Sequence, residues 1–98
     1  MLSLRLPAKV PPEIEIMPAH NLTAITGEAV VLRCVVKAGH PPPAVVCERD
    51  TNHPLNSSSD GILVISPVNF DNEGMYICKA SNILGATEAV ALLTVQGN

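Results

Sequence analysis

The chain contains no tryptophan and only two aromatic residues, Phe70 and Tyr76, so aliphatic side chains must build most of its core. Basic residues are also scarce. Six Lys and Arg stand against nine Asp and Glu without forming a stripe, which argues against a nucleic-acid partner. No apolar run approaches the length of about 18 residues that a membrane-spanning helix needs. Hydrophobic residues nevertheless occupy 47% of the 98 positions and charged ones 15%, which predicts one folded domain and excludes intrinsic disorder.

The first twelve residues, MLSLRLPAKVPP, do not form a signal peptide, because Arg5 and Pro7 interrupt their apolar stretch. We interpret residues 1–12 as a leader or linker and residues 13–96 as the domain.

Short segments of alternating apolar and polar residues, separated by turn signals, recur along the domain. No stretch keeps the apolar spacing of an amphipathic helix over ten residues. This pattern predicts about seven strands in an all-β antiparallel sandwich or barrel. The strands that can be placed cover residues 13–17, 29–36, 44–49, 61–66, 74–81 and 87–95.

Alternation also assigns the faces of two strands that each contain a cysteine. In one strand, Val30, Leu32, Cys34 and Val36 share a face that we expect to point inward. In the other, the inward set is Tyr76, Cys78 and Ala80.

Seven sequence fragments, in order, resemble the immunoglobulin superfamily and in particular its intermediate (I-set) type. The resemblance covers residues 13–96. The fragments are Gly27-Glu28, Val30-x-Leu32-x-Cys34, Gly39-x-Pro41-x-Pro43, Gly61-x-Leu63-x-Ile65, Gly74-x-Tyr76-x-Cys78-x-Ala80-x-Asn82, Gly85 and Leu93-x-Val95.

The resemblance implies an immunoglobulin-like β-sandwich of two antiparallel sheets with Greek-key connections. It also implies a disulfide between Cys34 and Cys78 that ties the two sheets together, and a tyrosine corner at Tyr76, whose hydroxyl would bond to nearby backbone.

Cys47 occupies the position where the family usually has a core tryptophan packed on the disulfide. The simplest interpretation is a buried, inert thiol that behaves as a small hydrophobic residue. A second interpretation makes Cys47 a redox-capable sulfur beside Cys34 and Cys78, able to exchange with their disulfide or to form an intermolecular bridge. A third is a destabilised domain, or one that never forms the bond between the sheets.

A second departure precedes Tyr76. The family usually has an aspartate four residues earlier, paired with a basic residue, whereas this sequence has Asn72 there and Asp71 one position early. The stretch that would supply the basic partner, residues 56–60, contains no Lys or Arg. We therefore expect this ion pair to be absent.

Two Asn-x-Ser/Thr sequons begin at Asn21 and Asn56, in segments predicted to be loops or strand edges, where a glycan can be accommodated. The odd cysteine count by itself does not fix the compartment, but the sequons favour an extracellular location, in a secreted matrix protein or a cell-surface ectodomain. A cytosolic, muscle-type location with reduced thiols is the alternative.

No residue pattern has the spacing of a catalytic site, a phosphate-binding loop or a four-ligand metal site. We therefore expect no catalytic residues, no metal and no cofactor.

The sheet that the family builds from its third, sixth and seventh strands should have an unusually apolar outer face. Apolar patches of this kind tend to be interaction sites. Half-covered strands, shielded by the stems of Lys and Glu side chains, are the alternative explanation. The residues predicted for the interface are Val46, Met75, Ile77, Val90 and Leu92.

The resemblance therefore implies a non-catalytic module of a larger extracellular protein that binds protein partners, either copies of itself or neighbouring Ig domains. The narrower likeness is to cell-adhesion receptors and matrix proteins. Two alternatives stay open: an intracellular sarcomeric or cytoskeletal module that bears tension, and an accessory Ig domain of a larger enzyme or receptor.

Overall fold

A computed structural model describes residues 9–49 and 61–97. Within these residues the chain forms seven β-strands and one short 3₁₀ helix at Phe70–Asn72. The strands are β1 Val10–Met17, β2 Asn21–Ile25, β3 Val30–His40, β4 Ala44–Arg49, β5 Ile62–Ile65, β6 Gly74–Asn82 and β7 Gly85–Gln96.

The strands form two sheets, which confirms the predicted all-β sandwich. The first sheet has the order β1-β3-β5 and is antiparallel throughout. The second has the order β2-β7-β6-β4, in which β2 runs parallel to β7 and the other pairs are antiparallel. The chain therefore changes sheets between Met17 and Asn21, at Pro18, which has no N–H to continue a ladder.

Three features of the strands differ from the expectation. β2 is absent from the predicted strands, because its five residues, Asn21–Ile25, carry too little apolar/polar alternation to mark a strand. β1 begins at Val10 rather than at residue 13, since Pro11 and Pro12 are accommodated on this edge strand, next to two register shifts. β3 continues to His40, where it pairs with Val10.

The core consists mainly of the inward residues of both sheets, with Leu32, Leu93 and Tyr76 among its largest fully buried members. The prediction for the inward face of β6 is confirmed, because Tyr76, Cys78 and Ala80 are all buried. On β3 the prediction was wrong for Val36, which is exposed. The alternation of β3 is lost beyond Cys34, alongside the register shifts between β1 and β3, because such irregularities twist a strand pair.

Candidate functional site

A disulfide joins Cys34 of β3 to Cys78 of β6 and so links the two sheets through the core. The Cα atoms of the two residues are 6.1 Å apart, inside the range that a disulfide spans. Cys78 is fully buried, whereas Cys34 is only half-buried. The bond closes a sequence separation of 44 residues.

Cys47 of β4 is a free, fully buried cysteine. It pairs directly with Cys78 in the β4–β6 ladder, and the two Sγ atoms are 3.6 Å apart. Burial raises the pKa of the Cys47 thiol, and the nearby carboxylate of Glu48 raises it further. The thiol is therefore held in its protonated, weakly nucleophilic form.

The sulfur atoms of all three cysteines lie within 4.8 Å of one another. Thiolates, rather than disulfide sulfurs, are the usual ligands of soft metal ions. With Cys34 and Cys78 joined, the cluster offers the single thiol of Cys47, which does not amount to a structural zinc site.

The hydroxyl of Tyr76 donates a hydrogen bond to the backbone carbonyl of Asn72, four residues upstream. This is the contact that the resemblance implied for a tyrosine corner. The ring is fully buried, and the guanidinium of Arg49 lies 5.7 Å from its centroid. Burial raises the pKa of Tyr76, while the positive charge of Arg49 partly opposes that rise.

Asn72 has a local role in place of the aspartate that the family usually has. Its Oδ1 accepts a hydrogen bond of 2.7 Å from the backbone N–H of Asn69. The side chain of Asn69 in turn accepts one of 2.9 Å from the N–H of Asp71. These reciprocal bonds cap the 3₁₀ helix at Phe70–Asn72. Residues 56–60, where the family would have the basic partner and this sequence has none, lie outside the described residues.

The predicted interface residues lie together on the outer face of the second sheet. Across β6 and β7, Met75 pairs with Leu92 and Ile77 pairs with Val90. Met75 is 39% exposed and Leu92 and Val90 are each 45% exposed, while Ile77 between them is half-buried. Val46 of β4 is also exposed and lies across from Lys79. We call Val46, Met75, Ile77, Val90 and Leu92 the apolar face.

Charged residues lie among the residues of this apolar face, because Glu48 pairs with Ile77 and Lys79 pairs with Val46. The ammonium of Lys79 is 2.6 Å from a carboxylate oxygen of Glu48, and Glu88 lies across from Lys79 in the β6–β7 ladder. The hydrogen bond to Glu48, together with the negative charges of Glu48 and Glu88, raises the pKa of Lys79. An exposed ion pair of this kind contributes little to stability.

The first sequon lies at the start of β2. Asn21 and Thr23 are exposed, and Asn21 pairs with Leu92 of the apolar face in the parallel β2–β7 ladder. The second sequon, at Asn56, lies outside the described residues.

Asn82 has a role that sequence reasoning missed. Its Nδ2 donates to the backbone carbonyls of Val10 and Pro41, at 2.9 Å and 3.0 Å. Its Oδ1 accepts a hydrogen bond of 2.9 Å from the N–H of Leu84. One side chain thus forms hydrogen bonds with the start of β1, with the turn before β4 and with the β6–β7 turn. The only sequence signal was an asparagine at the start of a tight turn.

The sequence model of the family described as "Immunoglobulin domain" matches residues 11–82, which is most of the chain. The chain belongs to the immunoglobulin domain family. Its two-sheet sandwich and the disulfide between the sheets agree with this assignment.

Related Ig domains occur in large proteins of several kinds. The chain is 36% identical over 92 residues to Peroxidasin homolog of Mus musculus, an alignment that covers 87% of this chain and 6% of that protein. It is 30% identical over 105 residues to Roundabout homolog 3 of Homo sapiens, covering 94% and 7%. It is also 35% identical over 99 residues to Titin of Drosophila melanogaster, covering 97% of this chain and a negligible part of titin. This Ig domain therefore spans only a small part of each relative.

Solved structures with the same fold include Ig domains in complexes. A complex of Dpr2 Ig1-Ig2 with DIP-Theta Ig1-Ig3 matches with a TM-score of 0.75 at 29% identity, covering 88% of this chain and 32% of the matched chain. The complex of Titin M10 with Obscurin like 1 Ig matches with a TM-score of 0.70 at 30% identity, covering 90% and 96%. In the part of this Ig domain that the structure describes, no helix has the length and apolar character needed to cross a membrane.

Proposed function

We propose that this Ig domain is a non-catalytic, I-set protein-interaction module of a larger extracellular protein with an adhesive role, and that the apolar face is its contact surface. The observation that carries the proposal is the face itself. Met75, Val90 and Leu92 are exposed side by side on adjacent strands, with Ile77 between them. Clustered exposed apolar side chains with charged residues beside them are typical of interaction sites.

The partner that suits this surface best is a second Ig domain. The face extends over three neighbouring strands of a four-stranded sheet, which suits another sheet better than a single extended peptide. The Lys79–Glu48 pair provides charges of both signs between Val46 and the other apolar residues, which can orient a partner that carries the same pair. Related folds in the Dpr2–DIP-Theta and Titin M10–Obscurin like 1 complexes support an Ig domain as partner.

The test replaces an apolar residue of the face by lysine and measures self-association by sedimentation equilibrium. Val90→Lys and Ile77→Lys place a charge in the middle of the face, so we expect both to weaken self-association. Val64→Lys is the matched control, because Val64 is 60% exposed and lies on the opposite sheet.

Urea unfolding of each variant separates loss of contact from loss of fold. Val90 is the more exposed of the two positions, so Val90→Lys perturbs the fold less than Ile77→Lys. Self-association that is unchanged in both face variants, or equally weakened by Val64→Lys, would contradict the proposal.

A second candidate is a tension-bearing module of an intracellular filament, which the likeness to Drosophila Titin supports. A third is an accessory domain of a larger enzyme, which the likeness to Peroxidasin homolog supports. A glycan on Asn21 in the natural protein would exclude the intracellular candidate, because N-glycans are added in the secretory pathway. The third candidate is tested by the sequence that flanks this domain in its parent protein, which would have to contain an enzyme domain.

A further inference from the structure

Asn21 lies in the same outward row as two residues of the apolar face. Asn21 of β2 pairs with Leu92 of β7, and Leu92 pairs with Met75 of β6. Residues paired across a ladder direct their side chains to the same side of a sheet. The row Asn21–Leu92–Met75 therefore crosses three neighbouring strands of the second sheet.

The burial pattern confirms which side this is. In β2 the fully buried residue is Ala24, and in β7 the buried residues include Leu93 and Val95. Asn21 is exposed and is out of phase with Ala24, and Leu92 is exposed and out of phase with Leu93. The carboxamide of Asn21 thus stands on the outer surface, on the same side as the apolar face.

β2 is the terminal strand of its sheet in the described residues, so Asn21 stands at one border of the outer surface. Strands in a sheet are about 4.8 Å apart, which places Met75 roughly 10 Å from Asn21 along the row. The first two sugar units of an N-glycan span a comparable distance. A glycan on Asn21 is therefore long enough to reach Leu92 and Met75 without any change in the fold.

We propose that Asn21, in the sequon Asn21-Leu22-Thr23, carries an N-glycan that covers the Leu92–Met75 part of the apolar face and keeps a second module from lying on it. The glycosylated domain would then have a covered face, and only a domain without this glycan would have an open one. This inference rests on the proposed function only for the consequence of covering the face. The covering itself depends on the row of paired residues.

Two methionines allow the covering to be measured without any partner. Met75 lies in the row, whereas Met17 lies on the first sheet, and both are 39% exposed. The 98-residue chain is fused to a cleavable signal peptide and secreted from a eukaryotic host as wild type, as Asn21→Gln and as Asn56→Gln. Each protein is exposed to a short pulse of hydroxyl radicals, and oxidation of the two methionines is read by peptide mapping.

We expect Met75 to oxidise several-fold more slowly in the wild type than in Asn21→Gln, while Met17 oxidises equally in both. Asn56→Gln is the matched control, because it removes the other sequon and should leave Met75 covered. An equal ratio of Met75 to Met17 oxidation in the wild type and Asn21→Gln would overturn the proposal. An unmodified Asn21 in the secreted wild type would also overturn it.

Sedimentation of the same samples separates this inference from the proposed function. Slow Met75 oxidation in the glycosylated form, combined with self-association only in Asn21→Gln, supports both. Slow Met75 oxidation without self-association in either form supports the covering and contradicts the proposed role of the face. If both forms do self-associate, and the glycosylated form does so as strongly as Asn21→Gln, the glycan does not block the partner and the inference is overturned.

Discussion

The sulfur of Cys47 lies 3.6 Å from the sulfur of Cys78, directly across the β4–β6 ladder. A free thiol and a disulfide thus share the centre of the core, at the position where the family usually has a tryptophan. Cys47 is fully buried, so reagents in solution cannot reach its thiol. Burial also raises its pKa, which keeps the thiol protonated and weakly nucleophilic.

We expect Cys47 to be unreactive in the native protein. A thiol reagent at neutral pH should find no thiol until denaturant is added, one thiol after denaturation, and three after reduction of the denatured chain. Cys47→Ser should show none before reduction. A thiol that reacts in the native state, or a peptide map with a Cys47–Cys78 disulfide, would support the redox-capable interpretation instead.

The stability of the fold should decrease at alkaline pH in part through Cys47. Because its folded pKa is raised, the native state holds the thiol proton more tightly than the unfolded chain. This contribution is complete below the unfolded thiol pKa of about 8.5 and is lost as the pH rises through the higher folded value.

The urea midpoint should therefore fall further in the wild type than in Cys47→Ala as the pH rises from neutral to alkaline. Tyr76 also has a raised pKa, and its largest cause, burial, is common to both proteins, so most of the Tyr76 contribution cancels; the smaller part that comes from the charge of Cys47 belongs to the Cys47 effect. Identical pH profiles would show that Cys47 does not contribute.

Restoring the residue that the family usually has should destabilise this domain. Cys47 has no exposed surface and already contacts the sulfur of Cys78, so Cys47→Trp must displace its neighbours. Overpacking of this kind costs about 1–3 kcal/mol in the free energy of unfolding, measurable by urea denaturation. Cys47→Ala serves as the size control. A more stable Cys47→Trp protein would mean that the core has kept room for the ring.

Removing the hydroxyl of Tyr76 should weaken the fold while the core packing is kept. Tyr76→Phe leaves the ring in place and deprives the carbonyl of Asn72 of its donor. We expect a loss of about 1 kcal/mol in the free energy of unfolding. Circular dichroism should stay unchanged. Equal stability of the two proteins would show that water replaces the hydroxyl at no cost.

The amino-acid sequence by itself determined the fold class, the six strands placed from its pattern and the inward direction of Tyr76, Cys78 and Ala80. These features depend on alternation within a single strand, which local side-chain chemistry encodes. The sequence also carried the resemblance from which the Cys34–Cys78 pairing followed.

Only the tertiary structure decided that Cys47 pairs directly with Cys78 in the β4–β6 ladder, that Asn21 stands beside Leu92, and that Asn82 bonds to Val10 and Pro41. Each of these depends on the register between strands or on the sheet that a strand joins. β2 shows this most clearly, because its five residues carry too little alternation to be recognised and its position comes from pairing with β7 at the far end of the chain. Register and sheet membership are set by contacts between distant segments, which no local pattern records.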